Sequence, residues 1–174
     1  HKDVDIDTIV DRVTASIMAG VTTTQLDSIT AELTAARTTR HPHYAVLAGR
    51  IAATNLWART PGTFTAAVAK LAGNTRPASR WDATPKPAPL ISEAAVAFVA
   101  KHGAALDAVI NRDADLKFDY FGFQTLARSY LLRVDGEIVE RPQYMYMRVA
   151  IAMRGPNADL AHVVKTYDKL SQGL

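Results

Sequence analysis

Residues 119–150 read DYFGFQTLARSYLLRVDGEIVERPQYMYMRVA, and this segment contains the signals of a helix, a hairpin and a second helix. Within residues 119–132, the apolar spacing predicts a helix in the second half. Asp135-Gly136 accepts the positive φ angles of a type I′ turn, and β-branched residues flank it, so it is the strongest hairpin signal in the chain. Pro142 fits the first turn of a helix, where its missing N–H has no partner. The segment therefore predicts helix, hairpin and helix in succession.

The rest of the chain has the spacing of amphipathic helices. In the first one, over residues 6–17, Asp7 is the expected N-cap and Gly20 marks the end. Thr22 and Gln25 fit a capping box that opens the second helix. Further helices are expected after Pro42, over 63–71, 92–101 and 104–112, from Pro142, and from 157 to the end. The predicted fold class is mainly α, a helical domain with one short β-hairpin.

The middle of the chain is rich in proline. Residues 74–90 contain four of the eight prolines, which remove hydrogen-bond donors and disfavour helix at the preceding residue. We expect a surface loop there. The predicted organisation is therefore a helical region at 1–73, a Pro-rich loop at 74–91 and a second helical region with the hairpin at 92–174.

Composition excludes several classes of protein. The 174 residues carry a net charge of only +3, scattered along the chain, which does not indicate a nucleic-acid-binding protein. No apolar run approaches the roughly 18 residues of a membrane span, and the sequence does not open on a basic-then-apolar signal peptide. Cysteine is absent, so this chain has no disulfide, thiolate zinc site, thiol nucleophile or redox pair.

Polar clusters suggest little catalytic chemistry. The acidic start of the chain is better explained by helix capping and dipole charge than by a cation site, because the remaining features of an EF-hand are missing. His41 and His43 flank Pro42 and could share a metal with a third ligand, but no such ligand lies at a recognisable spacing. We therefore expect a polar helix start there, no metal site and no catalytic residue.

Aromatic residues are concentrated in residues 117–130: Phe118, Tyr120, Phe121, Phe123 and Tyr130. Such rings can stack on bases, but the RNA-recognition signature is absent. A buried core anchored by aromatic rings is the favoured interpretation.

Four ordered blocks carry a resemblance. Residues 20–27 (GVTTTQLD), 38–52 (TTRHPHYAVLAGRIA), 119–132 and 139–150 resemble the large (α) subunit of class I ribonucleotide reductase, in the right order and spacing. The resemblance covers nearly the whole chain. It implies that residues 1–73 include the second half of an ATP-cone, and that 92–174 lead to a ten-stranded catalytic barrel that these residues do not contain.

The resemblance also assigns nucleotide contacts. Thr23 and Asp27 fall on ATP-contact positions of the cone, whereas Ala58 stands where a lysine is expected. The hairpin that carries most nucleotide contacts in the family is not among these residues. The implied binding of ATP or dATP is therefore weak, and no other cofactor is expected in this chain.

The implied function is that of the N-terminal portion of an enzyme that reduces ribonucleotides to deoxyribonucleotides for DNA synthesis. In the family a cysteine thiyl radical and a cysteine pair perform the reaction, so this chain alone is expected to be inactive. The implied partners are a chain carrying the barrel, on which Met145, Tyr146 and Val149 would dock, and a radical-generating small subunit. Nucleic acid and membrane are not expected partners, and the implied location is the cytoplasm. The chain would be a fragment or one product of a split gene; the alternative is a stand-alone helical interaction or regulatory module without catalysis.

Overall fold

The computed structural model describes residues 3–77, 80, 84–155 and 157–173. It is 65% helical, which confirms the expectation of a mainly α fold. The described residues form eight α-helices: α1 (Ile6–Ala15), α2 (Thr23–Ala35), α3 (His43–Arg59), α4 (Phe64–Ala72), α5 (Glu93–Val109), α6 (Tyr120–Ser129), α7 (Pro142–Arg154) and α8 (Leu160–Gln172). Short strands β1 (Thr75–Arg76), β2 (Lys86–Pro87), β3 (Arg133–Val134) and β4 (Glu137–Ile138) and a 3-10 helix (Arg112–Lys117) complete them. None of the described helices has the length and apolar character that crossing a membrane requires.

The chain divides into two compact units. The first comprises His1–Ala58 and Asp113–Ser129, and the second comprises Arg59–Arg112 and Tyr130–Leu174.

The first unit opens with a cap that differs from the predicted one. Asp5, and not Asp7, is the N-cap of α1, and its carboxylate accepts a 3.0 Å hydrogen bond from the backbone N–H of Thr8. The helix also ends at Ala15, well before Gly20. Two aspartates lie near the helix start, and the backbone selects the one in an extended conformation just before the first turn.

The capping box of α2 is confirmed. The Thr22 side chain accepts from the backbone N–H of Gln25 at 3.2 Å, and the Gln25 side chain accepts from the N–H of Thr22 at 3.0 Å. Helix α3 is tied to the same end of α2, because the side chain of buried Asn55 donates to the Thr24 carbonyl at 3.1 Å. The start of α2 is therefore stabilised by its own capping box and by a hydrogen bond from α3.

Glycine permits a close crossing of two backbones in the first unit. A Cβ on Gly49, in α3, would overlap the carbonyl oxygen of Phe118 and lie 2.8 Å from the carbonyl carbon of Asp119. One further bond supports the same pairing, since the indole N–H of Trp57 donates to the Asp115 carboxylate at 2.9 Å. The segment before α6 thus lies directly against α3.

The aromatic segment is only partly buried. Phe123 is 3% exposed, but Phe121 is 62% exposed and Tyr130 58% exposed, so the expectation that the aromatic group forms a core is wrong for these two. Helical geometry explains the difference. Phe123 and Ala127 share the buried face of α6 at a spacing of four residues, and a residue two positions from Phe123 points to another face.

The second unit contains one helix where the sequence predicted two. Ser92 caps α5 as expected, by accepting from the N–H of Ala95, but the helix continues through Gly103 to Val109. An isolated glycine lowers helix stability by only about 1 kcal/mol relative to alanine, and packing overrides that cost. The core of this unit is a cluster of buried side chains from α4, α5, α7 and α8, including Phe64, Leu71, Phe98, Leu106, Tyr144, Met147, Ile151, Val163 and Tyr167.

The hairpin at Asp135-Gly136 is confirmed, with φ angles of 52° and 84° at the two turn residues. A second antiparallel pair joins β1 to β2, so the expectation of one hairpin is wrong. This pair was not predicted because β2 contains Pro87. Proline is excluded from central strands but tolerated at a sheet edge. The pair lies inside the predicted Pro-rich loop, part of which is outside the described residues.

Candidate functional site

Thr23 and Asp27 lie at the start of α2 and are exposed. Their spacing of four residues places them on one face of the helix, about 5–6 Å apart at Cβ. The hydroxyl of Thr23 is beside the first backbone N–H groups of the helix, where the helix dipole favours an anion. A carboxylate repels phosphate, so Asp27 suits a donor such as a ribose hydroxyl or an amine. The two residues therefore present a hydroxyl and a carboxylate on one exposed face of α2.

Ala58 is exposed near the end of α3 and supplies no charge. It belongs to a different helix from Thr23 and Asp27. The structure therefore places all three sequence-predicted positions at the surface, two of them side by side.

A second polar feature of the fold is a buried segment, Glu140-Arg141-Pro142-Gln143, which we call the ERPQ segment. Its members are all buried between the β3–β4 hairpin and the first turn of α7. Glu140, at 1% exposure, accepts from the backbone N–H of Leu132 at 3.0 Å and from two nitrogens of Arg148 at 2.5 and 3.1 Å. The carboxylate thus fixes the hairpin to the second turn of α7.

Arg141 joins the segment to the α3–α4 connection. Its Nε donates to the Thr60 hydroxyl at 2.8 Å and its Nη2 to the Thr60 carbonyl at 3.3 Å. The guanidinium also lies over the Tyr144 ring, 5.2 Å from the ring centroid, which stabilises the cation. Tyr144 in turn donates to the carbonyl of Pro61 at 3.2 Å. These contacts fix the α3–α4 connection on α7.

Gln143 organises the C-terminal helix. Its side-chain oxygen accepts from the Tyr167 hydroxyl at 2.9 Å and from the Ser171 hydroxyl at 2.7 Å, both on α8. The Tyr167 hydroxyl also accepts from the backbone N–H of Asn111 at 3.1 Å. A chain of hydrogen bonds therefore links the residues just after α5 with α7 and α8.

The network was missed by sequence reasoning, which treated residues 139–150 as a motif and as a packing face. A signal was present: an acid, a base and an amide interrupt an otherwise apolar stretch at the start of a helix. Buried polar groups require partners, but the partners here come from Leu132, the α3–α4 connection, α7 and α8, and cannot be identified from spacing.

The structure corrects one expectation about docking. Met145 is only 7% exposed, so its side chain is not available to another chain, whereas Tyr146 and Val149 are half-buried. The apolar faces of α7 are largely satisfied by the core of its own unit, in which Met147 is fully buried. Met153, near the end of α7, is 68% exposed.

Comparison with known proteins identifies the relatives of this chain. Residues 116–174 match the family described as "Ribonucleotide reductase, all-alpha domain". The chain is 44% identical over 164 residues to the ribonucleoside-diphosphate reductase large chain of Schizosaccharomyces pombe, which covers 94% of this chain and 19% of that protein. The large subunits of Dictyostelium discoideum and Arabidopsis thaliana are 42% and 41% identical over 95% and 94% of this chain, and 18% and 19% of their own lengths.

The chain spans about a fifth of the length of these curated relatives. At 94–95% of its length, the matched part of the chain includes residues of both units. The chain therefore belongs to the class I ribonucleotide reductase large-subunit family, of which it represents the N-terminal portion.

Proposed function

We propose that this chain is the N-terminal helical part of a large subunit that reduces ribonucleoside diphosphates to deoxyribonucleotides. The observation that carries the proposal is identity of 41–44% along at least 94% of the chain to proteins named for that activity. The chain contributes no reacting group, since it has no cysteine on which a thiyl radical or a dithiol can form. Its role in the assembled enzyme is structural.

The buried ERPQ network supports that role. It ties the β3–β4 hairpin, the α3–α4 connection and α8 to one helix, which gives a rigid surface on which a barrel-bearing region can pack. Glu140, Arg141 and Gln143 each make hydrogen bonds to other elements, and buried hydrogen bonds of this kind restrict how those elements can move. The partner we propose is the chain region that bears the catalytic barrel, acting with a radical-generating small subunit.

Residual nucleotide binding is a second element of the proposal. Thr23 and Asp27 are exposed and adjacent at the start of α2, and we assign them as the ATP-contacting residues of this chain. Ala58 leaves the phosphate charge uncompensated at the position expected for lysine. Binding of ATP or dATP by this chain is consequently weak.

Reconstitution tests the catalytic proposal. This chain, the barrel-bearing chain and the small subunit are purified separately and combined, and deoxynucleotide formation is measured. We expect no product from this chain alone under any reductant, and product from the complete mixture at a higher rate than from the mixture without this chain.

Two results would contradict the proposal. Product from this chain alone would refute the argument from cysteine. Full activity without this chain, together with no complex by size-exclusion chromatography, would favour a stand-alone helical module.

A further inference from the structure

Asp3, His41 and His43 come together in the first unit although they are distant in sequence. One potential ligand atom from each lies within 4.8 Å of those of the other two. Asp3 Oδ2 is 3.4 Å from His43 Nδ1, and the two imidazole rings lie 4.4 Å apart between centroids. The sequence showed the histidine pair but no third ligand, because Asp3 precedes α1 and the histidines precede and open α3.

The donor set matches one class of ion. Two imidazoles and a carboxylate are typical of zinc and related transition metals, whereas Ca²⁺ and Mg²⁺ prefer oxygen ligands alone. Ligand bonds of about 2.0–2.1 Å in a tetrahedron separate two ligand atoms by about 3.4 Å, which is the distance between Asp3 and His43. Three protein ligands leave the fourth position for water.

The arrangement is held by contacts that do not require an ion. The hydroxyl of Tyr44, next to His43, accepts a 2.9 Å hydrogen bond from the backbone N–H of Asp5, two residues after Asp3. This bond fixes the approach of the N-terminal segment to the start of α3. The side chains of His43 and Asp3 are 39% and 49% exposed, so the group lies at the surface of the first unit.

One existing bond must be exchanged. His41 Nδ1 accepts from the backbone N–H of His43 at 3.2 Å, at the long end of the usual range. A neutral imidazole that accepts at Nδ1 carries its proton on Nε2. Coordination through Nδ1 takes the lone pair that accepts the bond, and coordination through Nε2 moves the proton to Nδ1. Either way the hydrogen bond from the His43 amide is lost. The amide of His43 is thus a specific reporter of coordination.

A simple ion pair is the competing explanation, and the chain contains an example. Asp159 and His162 lie 3.7 Å apart, each with a side chain 66% exposed, at successive helical turns. That pair is not part of a three-residue group of ligands among the described residues. The difference between the two pairs is the third ligand and the long-range placement of Asp3.

We propose that Asp3, His41 and His43 form a Zn²⁺ site that tethers the segment before α1 to the start of α3. Because the ligands converge only in the folded chain, binding is coupled to folding and raises the thermal stability of the first unit. This site is separate from Thr23 and Asp27 and from the proposed reductase activity.

The chain is first treated with EDTA to remove metal, and the EDTA is then removed. Calorimetric titration of this chain with zinc sulfate tests the proposal. We expect one Zn²⁺ per chain, an increase in the melting temperature with zinc, and a change in the His43 amide resonance. Asp3→Asn, His41→Ala and His43→Ala should each weaken binding by at least about tenfold, since even the groups that hydrogen-bond to metal ligands contribute about 10–100-fold to metal affinity. His162→Ala is the matched control and should change the affinity by less than about twofold.

Three results would overturn the proposal: no zinc binding, binding that survives the His41→Ala/His43→Ala double substitution, or an equal loss in His162→Ala. Equal affinity for Mg²⁺ and Zn²⁺ would also contradict imidazole ligation. Melting curves in EDTA establish that each variant folds. Asp3→Asn changes one exposed side chain without altering its size, so it keeps the test decisive if a histidine substitution impairs folding.

Discussion

Substitution of Gly49 by alanine tests the close crossing of α3 with the segment before α6. The new Cβ would lie 2.8 Å from the carbonyl carbon of Asp119 and would overlap the carbonyl oxygen of Phe118. Carbon atoms in contact are normally about 3.5–4.0 Å apart, so the two backbones must separate by about 0.7 Å or more. Neither neighbour is a flexible side-chain end that can turn away.

Two opposing terms set the magnitude. Overpacking a filled site costs about 1–3 kcal/mol, and backbone on both sides puts this case near the upper end. Alanine favours helix over glycine by about 1 kcal/mol, which offsets part of the cost. We expect a net loss of about 2 kcal/mol in the free energy of unfolding, equivalent to a fall of roughly 4–8 °C in melting temperature for a chain of this length.

Urea and thermal unfolding followed by far-UV circular dichroism measure the effect. Gly62→Ala makes the same chemical change where an added Cβ meets nothing within 4 Å, and it should leave stability unchanged or slightly raised. A Gly49→Ala variant as stable as the parent chain, or more stable by the gain in helix propensity, would refute the steric argument.

Three further predictions follow from the same contacts. Glu140→Ala leaves Arg148 and a backbone N–H without their buried carboxylate and should lower the free energy of unfolding by about 3 kcal/mol, measured by urea unfolding, whereas exposed Glu137→Ala should change it by less than about 0.5 kcal/mol. Burial, with a smaller contribution from nearby Glu32, raises the pKa of Tyr120 above its usual value, while Arg128 partly opposes the shift. The fold therefore favours the neutral phenol. The contribution of Tyr120 to the free energy of unfolding is complete below the unfolded-state pKa and is lost as pH rises through the folded-state pKa. Absorbance titration of the parent chain against Tyr120→Phe reports that pKa, and an ordinary value would contradict the effect of burial. ATP should bind with a dissociation constant of about 1 mM or weaker, near −4 kcal/mol, and micromolar binding by calorimetry that depends on Thr23 or Asp27 would overturn the assignment.

Local features of this chain were predictable because the groups that form them are neighbours in sequence. The Thr22–Gln25 capping box and the Asp135-Gly136 turn each depend on residues within one turn, and both formed as predicted. The cap of α1 was misplaced by two residues, since both Asp5 and Asp7 satisfy the sequence rule and only the backbone conformation distinguishes them.

Tertiary packing determined features that join residues far apart. Gly103 does not interrupt α5, and Met145 is buried within this chain instead of exposed for docking. Glu140 finds its partners in α7 and at Leu132. In each case the outcome depends on which elements pack together, and hydrophobic spacing along one element does not specify its neighbour.

The amino-acid sequence alone established a mainly α chain, its turns and most of its caps, the absence of any cysteine chemistry and the resemblance to a reductase large subunit, because those properties reside in composition or in residues close along the chain. Which polar groups are buried, where two backbones touch at Gly49, and that Asp3 meets His41 and His43 were decided by the fold. Side chains distant in sequence are brought within bonding distance only when helices pack, and the packing free energy is shared among too many contacts for any one sequence segment to encode it.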